Sequence, residues 1–267
     1  MVFEVGRTYD RRQEIHEPYG GQWQGGISTP ANQPFIFLFT GESGEQYGYR
    51  DGWDQNGVFL YTGEGQVGPM EFTRGNRAIR DHAKDGKDLH LFESLGKGRG
   101  YRYLGMFTCP TWEYRQGIDL NGDERQVIVF HLVQPSEEEQ GASSAPPPSV
   151  PLDQLRQLAL EAASRAEQSK PQKAKDLYYK RSATVREYVL ARAGGVCESC
   201  GKLAPFVRID GTPYLEPHHT RRISDGGPDH PRCVAAICPN CHREIHHGKD
   251  GKAKNQHLQQ YLVGLEE

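Results

Sequence analysis

The chain has 267 residues, of which 25% are charged, and its net charge is −3. No apolar run approaches the roughly 20 residues of a membrane span, and the first residues lack the basic and apolar stretches of a signal peptide. These features exclude an integral membrane protein and favour a cytoplasmic one, where the six cysteines stay reduced. The length allows two domains, each with its own core.

The charge is distributed unevenly along the chain. From Pro171 to the end there are 15 Lys and Arg against 11 Asp and Glu, whereas the preceding residues carry 17 against 24. The C-terminal part is therefore mildly basic, as a nucleic-acid-binding domain requires. Any DNA contact of the acidic N-terminal part would depend on a local basic face.

Residues 1–133 are predicted to form a β-rich domain. Short aromatic and β-branched segments alternate with turns of Gly, Asp and Asn, a pattern typical of strands. One helix is expected near residues 73–83. Several short strands with one helix predict a mixed β-barrel. The predicted strands cover residues 35–40, 57–61, 89–93, 101–109 and 126–131.

Three short motifs lie within this domain. They read Y-G-Y-R-D-G at 47–52, Y-T-G-E-G at 61–65 and G-N-R-A at 75–78. Together they resemble the SRA (YDG) domains, which bind DNA and flip a modified cytosine into a pocket. A flipped base needs a flat ring on each side and polar groups at its edge.

The SRA resemblance implies a base-binding role for four residues. Tyr49 and Tyr61 would stack on the flipped base, while Asp51 would accept from its exocyclic amine and Thr62 would add a hydrogen bond. For the two tyrosines, ordinary packing of strand aromatics inside the barrel is the alternative interpretation.

The segment after the β-rich domain is a predicted linker. Residues 134–151 are dominated by Ser, Gly, Glu and Pro, so they cannot bury apolar surface. Residues 152–179 are expected to form connecting helices, the first reaching about residue 169. Its apolar stripe either packs on the nuclease domain or forms a contact in a homodimer, and it contains Leu152, Leu155, Leu158 and Ala162.

A second helix is predicted just before the cysteines. Thr184 and Glu187 resemble a capping box, and the helix would run to Ala193 and end at the glycine pair 194–195.

Two C-x-x-C pairs follow this helix. A tetrahedral four-thiolate zinc site needs two such pairs, because each supplies two sulfurs from one tight turn. The wide separation of the pairs suggests that the zinc staples the two ends of an inserted unit. Disulfides are the alternative interpretation. The predicted zinc ligands are Cys197, Cys200, Cys238 and Cys241.

The inserted unit carries a histidine pattern. Residues 206–210 and 214–218 are predicted to form a hairpin around Gly211. From 239 to 247 the pattern becomes helical and places His242 and His246 on one face. The prediction is a β-β-α unit, with histidines on its second strand and on its helix.

These signatures resemble the HNH (ββα-metal) endonucleases over residues 180–251. Adjacent histidines on a strand point to opposite faces. The resemblance implies that His219 is the general base, and that His218 and His242 hold a catalytic cation such as Mg²⁺ or Mn²⁺, with His246 a third ligand. The middle Asn of the motif falls near 233, where this chain has Cys233.

The chain is therefore predicted to be α+β, with an N-terminal SRA-like mixed β-barrel and a C-terminal zinc-stapled ββα-metal domain at 180–267. The leading hypothesis is a modification-dependent restriction endonuclease, whose partner is duplex DNA carrying 5-methylcytosine or 5-hydroxymethylcytosine. One alternative is a general or repair nuclease whose barrel serves another contact. Another is a non-catalytic reader in which the zinc module is only a scaffold.

Overall fold

A computed structural model of the chain describes residues 3–41, 51–134, 150–164, 166–220 and 229–267. These residues divide into two compact units. Unit 1 holds the residues up to 134 together with 166–178, and unit 2 holds 150–164, 179–220 and 229–267. Within the described ranges, no helix has the length and apolar character needed to cross a membrane.

Unit 1 is built on a nine-stranded sheet. Its strands are β1 (Thr8–Tyr9), β2 (Ile27–Ser28), β3 (Phe35–Thr40), β4 (Gly52–Trp53), β5 (Phe59–Thr62), β6 (Asp88–Ser94), β7 (Tyr101–Ile118), β8 (Glu124–Val133) and β9 (Glu167–Gln168). Their order is β2-β3-β6-β7-β8-β5-β4, and both β1 and β9 also pair with β7. A π-helical turn, Arg11–His16, precedes the short helix α1, Glu17–Tyr19, and α2 covers Arg74–Asp81. All five predicted strands and the predicted helix are present, although β7 is longer than expected.

The alternation of strand β3 creates two cores in unit 1. Successive side chains of a strand point to opposite faces. Ile36 and Leu38 therefore join a mostly aliphatic core, called the aliphatic core below, while the phenylalanines at 35, 37 and 39 join an aromatic core. The aliphatic core also contains the rings of Phe59, Tyr61, Phe107 and Phe130. Strand β6 repeats the division, with Leu89 and Leu91 on the aliphatic side. Because both faces are covered, these strands read as continuous apolar runs.

One buried asparagine holds the turn that follows β5. Asn76 of α2 donates to the carbonyl oxygens of Glu64 and Glu71 at 2.8 and 2.9 Å, and it accepts from the Glu64 N–H at 2.8 Å. A Cβ at Gly63 would lie 2.6 Å from the Asn76 Oδ1 atom, so only glycine fits there. This explains why the Y-T-G-E-G and G-N-R-A motifs occur together.

Unit 2 contains a ββα motif. Strands β10 (Glu216–His219) and β11 (Val234–Ile237) pair antiparallel, and α5 (Pro239–His247) follows β11 directly. The β11 side chains are fully buried, and those of Ala235, Ala236 and Ile237 pack with residues of α6, Gly251–Leu265. The remaining helices are α3 (Leu152–Ala162) and α4 (Ala174–Ala193), the latter belonging to unit 2 from residue 179 onward.

The predicted hairpin between 206–210 and 214–218 forms only next to its turn. Val207 and Pro213 pair in an isolated antiparallel bridge and the Tyr214 N–H donates to the Phe206 carbonyl at 2.9 Å, but β10 pairs with β11 instead. The two adjacent histidines therefore lie on the first strand of the ββα motif, not on the second. The reason is burial: β11 is a small apolar run inside the core, whereas Ile209 is fully exposed.

The predicted capping box at Thr184 is also wrong. Helix α4 begins at Ala174, and the Thr184 hydroxyl donates to the Lys180 carbonyl within the helix, at 3.0 Å. A short 3₁₀ turn, Pro171–Lys173, precedes the helix. Pro171 thus lies at a helix start, where its missing N–H costs nothing. The helix ends at Ala193, as predicted, and positive φ angles follow at the glycine pair 194–195.

The first connecting helix is shorter than predicted, and its apolar stripe is different. Helix α3 ends at Ala162 rather than near 169, and its buried residues are Leu155 and Ala159. Leu152 and Leu158 are exposed. Leu155 packs with residues of α4 within unit 2, so it is not available for a contact between subunits. The homodimer stays a prediction.

Candidate nuclease centre and base-binding cavity

The four cysteines of the C-x-x-C pairs converge at one end of unit 2. Their sulfur atoms lie within 4.8 Å of one another. Zinc–sulfur bonds of about 2.3 Å in a tetrahedron place the sulfurs about 3.8 Å apart, so the cluster needs little adjustment to hold the ion. Burial opposes ionisation of Cys197, but backbone N–H groups of Cys238, Cys200 and Ser199 outweigh it and lower the Cys197 pKa. The donor set fits zinc.

Three histidines form a second cluster in unit 2. His218 comes from β10, and His242 and His246 lie one turn apart on α5. Their ligand atoms lie within 4.8 Å of one another. Burial is the main cause that lowers the pKa of His218 to about 3, so its imidazole is neutral, as a metal ligand must be. The cluster fits a divalent cation.

Two of these histidines are oriented by partners that the sequence analysis did not identify. The Nδ1 atom of His242 lies 2.6 Å from a Glu216 carboxylate oxygen, and the His218 Nε2 atom lies 3.1 Å from the Asn255 oxygen. The other ring nitrogen of each remains to bind a cation. The spacing of Glu216 and His218 along one strand was a usable signal, because residues two apart share a face. No local pattern indicates Asn255, which lies on α6.

His219 lies on the other face of β10 and is 5% exposed. Its Nε2 atom is 2.8 Å from the Oδ1 atom of Asp229. The structure therefore separates His219 from the three-histidine cluster, as the strand alternation predicted. At the motif position of the Asn, the Cys233 carbonyl accepts from the Thr220 N–H at 2.9 Å. Asp229 was not identified from the sequence.

A cavity of about 370 Å³ in unit 1 brings together three of the four predicted base-binding residues, Asp51, Tyr61 and Thr62. The Asp51 carboxylate accepts from the Thr62 N–H and from the Thr40 hydroxyl, both at 2.7 Å. Burial raises the pKa of Asp51, although these hydrogen bonds oppose the shift. Tyr49 lies outside the described residues.

Tyr61 lies in the wall of this cavity, but only 2% of it is exposed. Its ring belongs to the aliphatic core, and its hydroxyl donates to the Gly26 carbonyl at 2.8 Å. Core packing, the alternative interpretation of this residue, therefore describes its present surroundings. A stacking role toward a base stays a prediction.

Three residues that the sequence analysis did not identify also line the cavity: Arg11, Phe39 and Tyr101. The guanidinium carbon of Arg11 lies 3.7 Å from the centre of the Phe39 ring and 5.4 Å from that of Tyr101. They come from three separate segments, so no local spacing connects them. Arg11 therefore adds a positive charge and the two rings add aromatic surface to a cavity in which Asp51 provides a carboxylate.

Two family profiles match the chain. The profile described as ScoMcrA-like, SRA domain, matches residues 5–146, more than half of the chain, and the profile of HNH endonucleases matches residues 197–248. A 74-residue segment is 49% identical to the type IV methyl-directed restriction enzyme EcoKMcrA of Escherichia coli (strain K12). That segment is 28% of this chain and 27% of the length of EcoKMcrA.

Two solved structures are also similar to the chain. The type IV phosphorothioation-dependent restriction endonuclease ScoMcrA matches with 21% identity and a TM-score of 0.44, over 100% of this chain and 61% of its own. The modification-dependent TagI restriction endonuclease matches with 21% identity and a TM-score of 0.37, over 92% of this chain and 78% of its own.

Proposed function

We propose, on the premise that the chain belongs to the ScoMcrA-like SRA domain family and carries an HNH endonuclease domain, that it is a modification-dependent restriction endonuclease of type IV. Its SRA domain binds duplex DNA and takes up a modified cytosine. Its HNH domain hydrolyses a phosphodiester bond of that DNA. The observation that carries the nuclease half is the cluster of His218, His242 and His246 beside the buried His219.

In the proposed hydrolysis, His219 is the general base. One ring nitrogen is held by Asp229, and the other accepts a proton from the attacking water. His218, His242 and His246 hold a divalent cation, which polarises the phosphate and stabilises the leaving oxygen when bound. Three imidazoles favour a first-row transition ion over Mg²⁺, which prefers oxygen ligands.

In the proposed recognition, the cavity of unit 1 receives the flipped base. Its volume of about 370 Å³ falls in the range of about 300–1,000 Å³ that is usual for small-molecule sites. Asp51 accepts from the exocyclic amine of cytosine, because each of its oxygens has a second lone pair beyond the bond to Thr62 or Thr40. Thr62 adds a hydrogen bond, and Tyr49 and Tyr61 supply the aromatic faces.

The test of recognition uses one duplex sequence in four forms: with 5-methylcytosine, with 5-hydroxymethylcytosine, with a phosphorothioate backbone, and unmodified. We expect cleavage with Mn²⁺ to be fastest on a form with modified cytosine. The phosphorothioate form is included because ScoMcrA is described as phosphorothioation-dependent. Equal rates on all four forms would contradict modification dependence and leave the nuclease assignment standing.

The test of hydrolysis uses His219→Ala. A general base contributes about 100- to 10,000-fold to the rate, so the variant should lose cleavage to that extent. Zinc content, melting temperature and DNA binding should remain near those of the unmodified chain, since His219 belongs to neither metal cluster. Full activity of His219→Ala would assign the base to another residue.

A further inference from the structure

A line of buried polar side chains leads to His219 through unit 2. The Nε and Nη2 atoms of Arg186 lie 3.3 and 3.0 Å from the Ser182 Oγ atom. That hydroxyl lies 3.2 Å from the Asp229 Oδ1 atom, the same oxygen that His219 Nε2 approaches at 2.8 Å. Ser182, Arg186 and His219 are all buried, and the Asp229 side chain is 9% exposed.

The donor and the acceptor of each hydrogen bond in this line follow from the chemistry of the groups. A guanidinium can only donate, so Ser182 accepts from Arg186 and its own proton is directed to Asp229. An ionised carboxylate can only accept, so the Nε2 atom of His219 must carry the proton in that bond. In a neutral imidazole the second nitrogen, Nδ1, is then left as the acceptor.

We propose that Asp229 is a positioning residue that holds His219 in the Nε2–H tautomer, so that Nδ1 takes the proton of the attacking water. This inference rests on the proposed hydrolysis. Asp229 would also orient the base histidine in a chain that has Cys233 near the position of the motif Asn. A thiol is a weak hydrogen-bonding group, whereas the Asp229 oxygen is a strong acceptor already placed at 2.8 Å.

The other oxygen of Asp229 supports a functional role. Oδ2 is buried and has no hydrogen-bond partner among the described residues. A buried carboxylate oxygen without a hydrogen bond is destabilising. A purely structural role for Asp229 does not explain this cost, whereas a role in orienting His219 does. Within the described ranges, the hydrogen bonds to the side chain are concentrated on Oδ1, the atom that Ser182 and His219 share.

The experiment is a double-mutant cycle in the full, zinc-loaded chain. In Asp229→Asn, the Ser182 proton requires the amide oxygen to occupy the Oδ1 position, so His219 keeps its acceptor. In Ser182→Ala, the carboxylate still accepts from His219. We expect Ser182→Ala to cleave within about tenfold of the unmodified chain. Asp229→Asn should lose more, because the amide no longer carries the charge that stabilises the protonated imidazole. With both changes the amide is free to turn and donate to the Nε2 atom of His219. This selects the Nδ1–H tautomer, in which Nδ1 cannot accept a proton. We therefore expect the cleavage rate to fall by a further factor of about 100.

Further measurements separate positioning from a structural role. DNA binding and zinc content should change little across the cycle. The melting temperature should fall in Ser182→Ala, because the buried Arg186 loses its bond to Ser182, so the double variant is compared with Ser182→Ala. Asp210→Asn, an exposed aspartate of the same unit, serves as the charge-matched control. Long-range ¹H–¹⁵N NMR spectra of the imidazoles, with His219 assigned by its loss in His219→Gln, report the tautomer directly. We expect Nε2–H in the unmodified chain and in both single variants, and a mixture or Nδ1–H in the double variant.

Additive effects of the two changes on cleavage, or an unchanged His219 tautomer in the double variant, would overturn the proposal. Running the cycle on both modified and unmodified DNA keeps it separate from the proposed recognition. If the chain cleaves both forms equally, the recognition fails while the comparison among variants stands. If it cleaves neither, the hydrolysis fails while the NMR spectra still decide the role of Asp229.

Discussion

At the scale of single residues, Tyr61 combines two demands in one side chain. The SRA resemblance requires its ring face, but the ring is packed in the aliphatic core and its hydroxyl is bonded to Gly26. Burial raises the pKa of this hydroxyl well above its usual value, so it remains a donor. A base can therefore contact only the part of the Tyr61 ring that lines the cavity.

Substitutions at Tyr61 separate these demands. Tyr61→Phe keeps the aromatic face and loses the bond to Gly26, so we expect a stability loss of about 1 kcal/mol and an unchanged preference for modified DNA. Tyr61→Leu keeps an apolar side chain without the face. Stacking contributes roughly 1–3 kcal/mol per base, so the preference should fall about 5- to 150-fold.

The measurement is the ratio of dissociation constants on methylated and unmethylated duplexes for each variant. Binding to unmodified DNA is the control, because it depends on phosphate contacts that carry no base information. Equal ratios for Phe and Leu at this position would show that Tyr61 acts in packing alone.

At the scale of elements, the cluster of four cysteines lies at the start of α5. Cys238 is the residue that precedes this helix, and Cys241 lies in its first turn. The other pair is tied to β11 by Glu198, whose carboxylate accepts from the Ala236 N–H at 2.7 Å. A zinc ion that joins the two pairs would therefore also position the helix that carries His242 and His246.

The zinc prediction is tested with Cys200→Ser. A structural zinc contributes folding free energy directly, so the variant should lose its zinc and unfold unit 2. Metal analysis reports the ion. The three tryptophans, Trp23, Trp53 and Trp112, all lie in unit 1, so their fluorescence should still show a cooperative unit 1 transition. Cys109→Ser is the matched control and should keep one zinc per chain. A zinc-free Cys200→Ser with an intact unit 2 would contradict the structural role.

At the scale of the whole molecule, unit 2 depends on one buried carboxylate near the end of the described chain. Glu266 accepts from Tyr188 and Arg192, both at 2.8 Å, and from Arg156 at 3.0 Å. Its side chain is fully buried, and Arg192 continues to Glu198 beside the cysteines. The network connects α3, α4 and the segment that carries Cys197 and Cys200.

Removal of one partner of a buried ion pair leaves an uncompensated charge and costs about 3–5 kcal/mol. We therefore expect Glu266→Ala to destabilise unit 2 by about that amount, measured by urea unfolding followed by circular dichroism. Glu267→Ala is the neighbouring control, with an expected change below about 0.5 kcal/mol because Glu267 is exposed. Similar effects of the two variants would contradict the role of the network.

The stability of unit 1 should depend on pH through two buried histidines. Burial is the largest cause that lowers the pKa of His90 to about 3 and of His131 to about 4. Both values lie below the ordinary value of about 6.5, so the unfolded chain binds more protons between about pH 4 and 6.5. Stability should therefore be constant above pH 7 and fall as the pH decreases through this window.

Tryptophan fluorescence follows this transition, since the tryptophans belong to unit 1. At pH 5 each histidine should contribute a loss of roughly 2 kcal/mol relative to pH 7.5. His131→Gln cannot titrate, so its stability should decrease less between these two pH values. An equal decrease in the variant would assign the effect to other groups.

The sequence by itself determined the features whose information is local. A C-x-x-C pair places two sulfurs in one turn, an i, i+4 pair places two histidines on one helix face, and adjacent histidines on a strand separate to opposite faces. These relations follow from local backbone geometry, so the members of the cysteine cluster and of the histidine cluster were predictable residue by residue. The five longer strands of unit 1 were predictable too, because they are apolar runs bounded by turns, whereas the two-residue strands β1, β2, β4 and β9 were not predicted.

Only the tertiary structure decided the partners that come from distant segments. Asp229 and Asn255 reach the histidines of β10 from separate parts of the chain, and β10 pairs with β11 rather than with its neighbour in sequence. Burial likewise placed Tyr61 inside a core that its motif does not describe. The physical reason is that such contacts are selected by the packing of whole elements, where the burial of β11 outweighs the local turn at Gly211.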